Sequence, residues 1–140
     1  CRIHIYIDYG GLTMAKNRFK ILIVEDEANI RTFCTGGQML IHSFSYVGEQ
    51  AESFIRNINA DILFFSCHGL SEQGYMTDPA IEEANLRKVM FRFSKQKVLL
   101  CDSSKLGNVY LNNLCHLSDV DEIICEESVP RQFREMLRKG

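Results

Sequence analysis

Three short, continuous apolar runs limit what this chain can become. Ala60-Asp-Ile-Leu-Phe-Phe-Ser66, Val98-Leu-Leu-Cys101 and Glu122-Ile-Ile-Cys125 show no alternation of apolar and polar residues. Such a run predicts a strand buried on both faces, as in a parallel sheet covered by helices. Between the first two lies a helical pattern. Leu86, Val89, Met90 and Phe93 recur at i, i+3, i+4 and i+7 and give one core-facing stripe. Asp78 is expected as its N-cap and Pro79 as its first residue, with Glu82 and Glu83 where the helix dipole favours negative charge. Ala51, Phe54, Ile55 and Ile58 share the same spacing ahead of the first run. Pro130 opens a C-terminal segment with Phe133, Met136 and Leu137 on one side. Strand, helix, strand, connection, strand, helix is the order of a layered α/β domain with a mainly parallel sheet.

The N-terminal part is less regular. Ile3-His-Ile-Tyr-Ile7 alternates like a strand and ends in Asp8-Tyr9-Gly10-Gly11. Phe19 to Val24 is a further apolar run, and Thr32-Phe33-Cys34 leads into Thr35-Gly36-Gly37. No repeat, low-complexity stretch or linker interrupts the chain, so residues 1–140 are read as one domain. A chain of 140 residues can bury a core without disulfides or metal.

Charge and hydropathy narrow the partners. The net charge is −2, and the basic residues are scattered. A domain that grips duplex DNA by itself usually shows a basic stripe, so direct DNA binding is not expected. No run of about 18 apolar residues is present, and the first residues lack a signal-peptide pattern. A cytoplasmic chain without membrane contact is therefore expected. Because it begins at Cys1 and not at Met, a preceding segment is also expected. The six cysteines show neither C-x-x-C pairing nor zinc spacing. They read as small buried thiols in a reducing compartment, with no metal and no cofactor. Cys67 beside His68 resembles a nucleophile and its base, but adjacent residues on an extended chain face opposite ways.

In parallel α/β sheets ligands bind outside the carboxyl ends of the strands. The segments read as strand-end loops are Asp8-Tyr-Gly-Gly11, Thr35-Gly-Gly37, Ser66-Cys-His-Gly69 and Asp102-Ser-Ser-Lys105. Glycine lets backbone N–H groups approach an anion, and Lys105 is a point charge suited to phosphate or carboxylate. Together they point to a small anionic ligand. Each glycine taken alone also fits an ordinary turn.

From Asn59 to Lys105 the sequence resembles the effector domain of DeoR-type transcriptional regulators. The matching elements are Gly69, Gly74-Tyr-Met-Thr77, Glu82-Glu83-Ala84 with Arg87, and Asp102-Ser103-Ser104-Lys105. Leu117-Ser118-Asp119-Val120-Asp121, Gly36-Gly37 and Val47-Gly48 extend the likeness. The resemblance is good over residues 47–127. It implies a fold like that of ribose-5-phosphate isomerase and the coenzyme A transferases. It also implies a regulator, of the repressor kind, whose domain senses a phosphorylated sugar or related small anionic metabolite. DNA would be contacted only through a separate N-terminal winged helix, and the protein would form homodimers or homotetramers. Carried over residue by residue, the effector-binding positions are Gly36, Gly37, His68, Gly69, Glu83, Arg87 and Lys105. Asp8, Gly10, Gly11 and Asp102 are weaker candidates.

Some departures and alternatives accompany this reading. The family usually has Lys where this chain has Arg87. Glu83 and Arg87 are spaced i, i+4, which by itself predicts a surface ion pair. Residues 8–13 are either a degenerate phosphate loop or the family's next strand-to-helix turn. Residues 19–31 resemble the opening of a response-regulator receiver domain, but Ser66-Cys67-His68 offers no carboxylate to phosphorylate. A sugar-phosphate isomerase is the alternative from another class. It would need Glu83 as general base with help from Lys105. The isomerases resembled carry an acidic pair where this chain has Ser66-Cys67-His68, so binding without turnover is the expectation.

Overall fold

The computed structural model describes the backbone of His4–Tyr6, residues 33–125, and Glu135. Among these residues the strands are β1 (His4–Tyr6), β2 (Gln38–Leu40), β3 (Ser45–Val47), β4 (Ala60–Phe65), β5 (Gly69–Leu70), β6 (Tyr75–Asp78), β7 (Ser94–Cys101), β8 (Asn112–His116) and β9 (Glu122–Cys125). The helices are α1 (Glu49–Arg56) and α2 (Ile81–Arg92). The domain is mixed α/β around a parallel sheet.

That sheet has the order β1-β4-β7-β9, and every pairing in it is parallel. The three apolar runs of the sequence are its β4, β7 and β9. Phe65 lies opposite Leu99, and Leu99 opposite Ile123. Side chains alternate along a strand, so Leu63 and Phe65 share one face and are fully covered. Against them pack Ala51 and Ile55 of α1 and Leu86 and Met90 of α2. The Phe91 ring meets Phe65 edge-on at 4.5 Å. Each such Leu, Ile or Phe contributes about 1.5–3 kcal/mol relative to exposure.

The rest of the architecture is antiparallel. β2 and β3 form a hairpin, and β5-β6-β8 form a small separate sheet beside α2. These strands are short, and β8 reads Asn-Asn-Leu-Cys-His, so their residues gave no apolar run to detect. Thr77 stitches this region together. Its hydroxyl donates to the Gly69 carbonyl (3.4 Å) and accepts from the Tyr110 N–H (3.0 Å).

The helix starts need correction. Asp78 does not cap α2, nor is Pro79 its first residue. β6 runs through Asp78, which pairs with Asn112, and Ala80 occupies the N-cap. The cause is not local: the residue before proline is extended, which suits a helix cap and a strand end alike, and the pairing with Asn112 on β8 holds Asp78 in the strand. α1 closes at Arg56 with Asn57 at its C-cap, so Ile58 lies beyond it. The expected elements at Phe19–Val24 and residues 8–13 lie outside the described residues. So does the C-terminal helix, except that Glu135 is helical.

Candidate functional site

All strands of the parallel sheet point the same way, so their carboxyl ends form one edge. Two described loops leave it. After β4 the chain runs Ser66-Cys67-His68 into β5, and after β7 it runs Asp102 into a short 3-10 turn, Ser103–Lys105. They are packed together. The Gly107 N–H donates to the Leu70 carbonyl at 2.8 Å, and Leu70 and Leu106 form a parallel bridge. Gly69 is required there, because a Cβ would overlap the Asn108 carbonyl oxygen.

A charged cluster is built on the first loop. Asp78, at the end of β6, is fully buried. Its Oδ1 accepts from the His68 backbone N–H (3.2 Å) and from the ring Nδ1 (2.7 Å). Its Oδ2 accepts from Nη1 of Arg87, which is 1% exposed and lies one helical turn after Glu83 on α2. Asn112 Nδ2 donates to the carbonyls of Asp78 and Pro79, both at 3.1 Å, and so fixes the strand end. Burial alone would raise the Asp78 pKa. The His68 hydrogen bond and the Arg87 charge outweigh it and hold the carboxyl below its ordinary value. The histidine ring, with its side chain 27% exposed, is the part of the cluster that reaches the surface, edge-on to Tyr110.

Lys105 stands differently. It is 7% exposed, and its ammonium forms no ion pair or side-chain hydrogen bond among the described residues. The turn that carries it is shaped by Asp102, whose Oδ1 accepts from the Ser104 N–H at 2.8 Å and from the Ser104 hydroxyl. Asp102 therefore works as a local cap. The Lys105 stem is covered, and its ammonium, unpaired among the described residues, is available to an anion.

Glu83 and Arg87 do not form the surface ion pair that their spacing predicts. Both are buried, Arg87 bonds Asp78, and Glu83 accepts from the Ser45 hydroxyl of β3 at 2.8 Å. Ser43 lies 2.8 Å from Ser45 and extends this link into the hairpin. The pairing on α2 was overridden by partners that the fold brings in from β3 and β6.

Of the expected positions, His68, Gly69, Arg87 and Lys105 come from elements packed against one another at the sheet edge. Glu83 faces the hairpin. Gly36 and Gly37 both have positive φ, and a Cβ on Gly37 would sit 2.6 Å from the Val47 carbonyl oxygen and 3.3 Å from Ala51. Gly37 thus lets its turn pack on the start of α1, and its described contacts do not run to His68 or Lys105. Asp8, Gly10 and Gly11 lie outside the described residues. Sequence reasoning missed Asp78 and Ser45. The Asp-Pro step marked Asp78 as special but did not say which neighbours would claim its carboxylate.

The cysteines near the edge are poor nucleophiles. A hydrogen bond to Cys101, together with burial, pushes the Cys67 thiol well up, and burial does the same for Cys115. Among the described residues no cluster of His, Cys, Asp and Glu is arranged to hold a metal. No described helix is long and apolar enough to cross a membrane.

Comparison with known proteins places the chain. It is 33% identical over 119 residues to the HTH-type transcriptional regulator YulB of Bacillus subtilis, covering 84% of this chain and 46% of that protein. To the HTH-type transcriptional regulator YgbI of Escherichia coli it is 32% identical, covering 95% of this chain and 52% of the relative. To a lactose phosphotransferase system repressor of Staphylococcus epidermidis it is 29% identical, covering 87% and 49%. The chain spans about half the length of these relatives. The model of the DeoR C-terminal sensor domain matches residues 7–127, and the chain belongs to that family.

Proposed function

We propose that this domain binds a phosphorylated sugar or a related small anionic metabolite at the carboxyl edge of the parallel sheet. In the full regulator, occupancy changes DNA binding by a separate winged-helix domain. The observation that carries this reading is Lys105, a lysine held by packing at the sheet edge whose ammonium has no ion-pair partner among the described residues. His68, Gly69 and Arg87 belong to the same site. Gly36, Gly37 and Glu83, carried over with them by the family resemblance, belong to the proposal as positions that support the site from the hairpin and α2.

The reading is of a sensor and not of an isomerase. The relatives are named as transcriptional regulators, and Glu83, the base an isomerase would need, is bonded to Ser45. A cytoplasmic homo-oligomer with the fold of the ribose-5-phosphate isomerase and coenzyme A transferase group belongs to the same proposal.

A thermal-shift series with phosphorylated sugars and their unphosphorylated forms tests it. A ligand at 100 times its dissociation constant adds roughly 2.7 kcal/mol of apparent stability. Shifts confined to phosphorylated members are expected. A folded chain that no member stabilises rules the reading out, and isomerase turnover with a stabilising member would replace it by the enzyme.

A further inference from the structure

The hairpin of β2 and β3 carries a face that the fold of one chain does not explain. Thr32 to Gly48 is the longest stretch without Asp, Glu, Lys or Arg, in a chain that is 24% charged. Within it Phe33, Met39, Ile41 and Phe44 are exposed, Ile41 by 77%. Hairpin turns favour Gly, Asn, Asp and Ser, which supply the backbone conformations that a tight reversal needs. The turn from β2 to β3 is instead Ile41-His42-Ser43-Phe44. Phe44 has φ +51°, in the left-handed region that a bulky side chain rarely adopts. Neither turn preference nor burial within the chain accounts for an isoleucine and a phenylalanine here.

The face is also braced from behind and open at one edge. Ser43 Oγ lies 2.8 Å from Ser45 Oγ, the Ser45 hydroxyl donates to buried Glu83, and β3 packs against α1 and α2. Among the described residues β2 pairs with β3 alone, so no strand covers its other edge. A cover for this face must be apolar and must not rely on charge. A second copy of the same hairpin meets both conditions. In a two-fold interface a patch meets itself, so any charge in it would face its like, and this stretch has none. Interface cores are depleted of charge and rich in Phe and Met. Antiparallel pairing of two β2 strands about the axis covers both open edges, with Met39, the middle residue, opposite its own copy.

We propose that the β2–β3 hairpin is a two-fold interface between copies of this chain, with β2 of each copy alongside the other and Ile41 and Phe44 covered by the partner. This rests on the homo-oligomer of the proposed function and not on a ligand at the sheet edge.

Sedimentation velocity on the 140-residue chain tests it. The wild-type chain should sediment as a dimer or a larger assembly at micromolar concentration. Ile41→Lys puts two like charges into the interface and should raise the dissociation constant about 100-fold or more. Leu111→Lys, on the loop before β8 at a leucine that is also exposed, should change it less than about twofold. Met39→Lys and Met39→Glu should each weaken self-association, and their equimolar mixture should recover it to within about tenfold of the wild type. A wild-type monomer overturns the interface and the homo-oligomer together, while the thermal-shift series still decides the effector reading. An assembly that Ile41→Lys leaves intact, or that Leu111→Lys breaks instead, overturns the hairpin as its contact. An Ile41→Lys chain that circular dichroism finds unfolded overturns it too, because the side chain is then covered within its own chain. A Met39 mixture as weak as its components overturns the two-fold pairing of β2.

Discussion

Two buried cations sit near the same sheet edge, and the fold treats them in opposite ways. Arg87 is given a carboxylate, and that carboxylate also holds a histidine ring and its backbone N–H. Lys105 is buried nearly as well and is given no counter-charge among the described residues. The first arrangement is charge-paired before any ligand arrives, so it positions groups. The second has no ion-pair partner among the described residues, and the proposed function places the ligand's anionic group there. A sensor needs both, because a rigid frame makes a small ligand's charge felt at one place.

The largest effect should come from breaking the charge-paired side. Arg87→Met leaves Asp78 buried without its guanidinium, and loss of one partner of a buried pair costs about 3–5 kcal/mol. Urea denaturation of the variant and the wild-type chain measures it, and a loss under about 1 kcal/mol would make this pair no stronger than a surface one. The same pair has a pH signature. The folded-state pKa of Asp78 lies below its ordinary value of 3.8, so the stability it contributes is fully present above that value. It is lost as pH falls below 3.8 through the folded-state pKa. Asp78→Asn should flatten the acid limb of the stability curve in that window, followed by circular dichroism.

A middle effect is expected where the two loops touch. Gly69→Ala puts a methyl group on the Asn108 carbonyl, and the turn carrying Lys105 must move. Overpacking of this kind costs about 1–3 kcal/mol. It should also weaken phosphate binding, although neither residue carries charge. Unchanged affinity in the folded variant would separate the two loops functionally.

The smallest effect is expected at Lys105. Lys105→Met keeps the covered apolar stem and removes an ammonium that has no ion-pair partner among the described residues, so the stability of the ligand-free chain should change by less than about 0.5 kcal/mol by urea denaturation. A larger loss would mean that Lys105 is a structural residue like Arg87, and the contrast between the two cations would collapse.

The sequence disclosed these two sides unequally. β4, β7 and β9 were legible as strands because each carries a short unbroken apolar run, although β9 is mostly exposed and not covered on both faces, and α2 because its stripe repeats at helical spacing. Lys105 was legible from the Asp-Ser-Ser-Lys resemblance. The strands β5, β6 and β8 were not, since two to five mixed residues carry no periodicity. Asp78 was misread for the same reason. Asp before Pro fits a helix cap and a strand end equally well, and only the pairing with Asn112 on β8 decides. Ser45 was invisible because its partner lies 38 residues away on α2.

The most direct test of the central claim is a calorimetric titration of the Lys105→Met chain with a sugar phosphate that stabilises the wild-type chain. The account predicts that affinity falls to that of the matching unphosphorylated sugar, in a variant as stable as the wild type to within about 0.5 kcal/mol. A folded Lys105→Met chain that still prefers the phosphorylated sugar by the wild-type margin would contradict it.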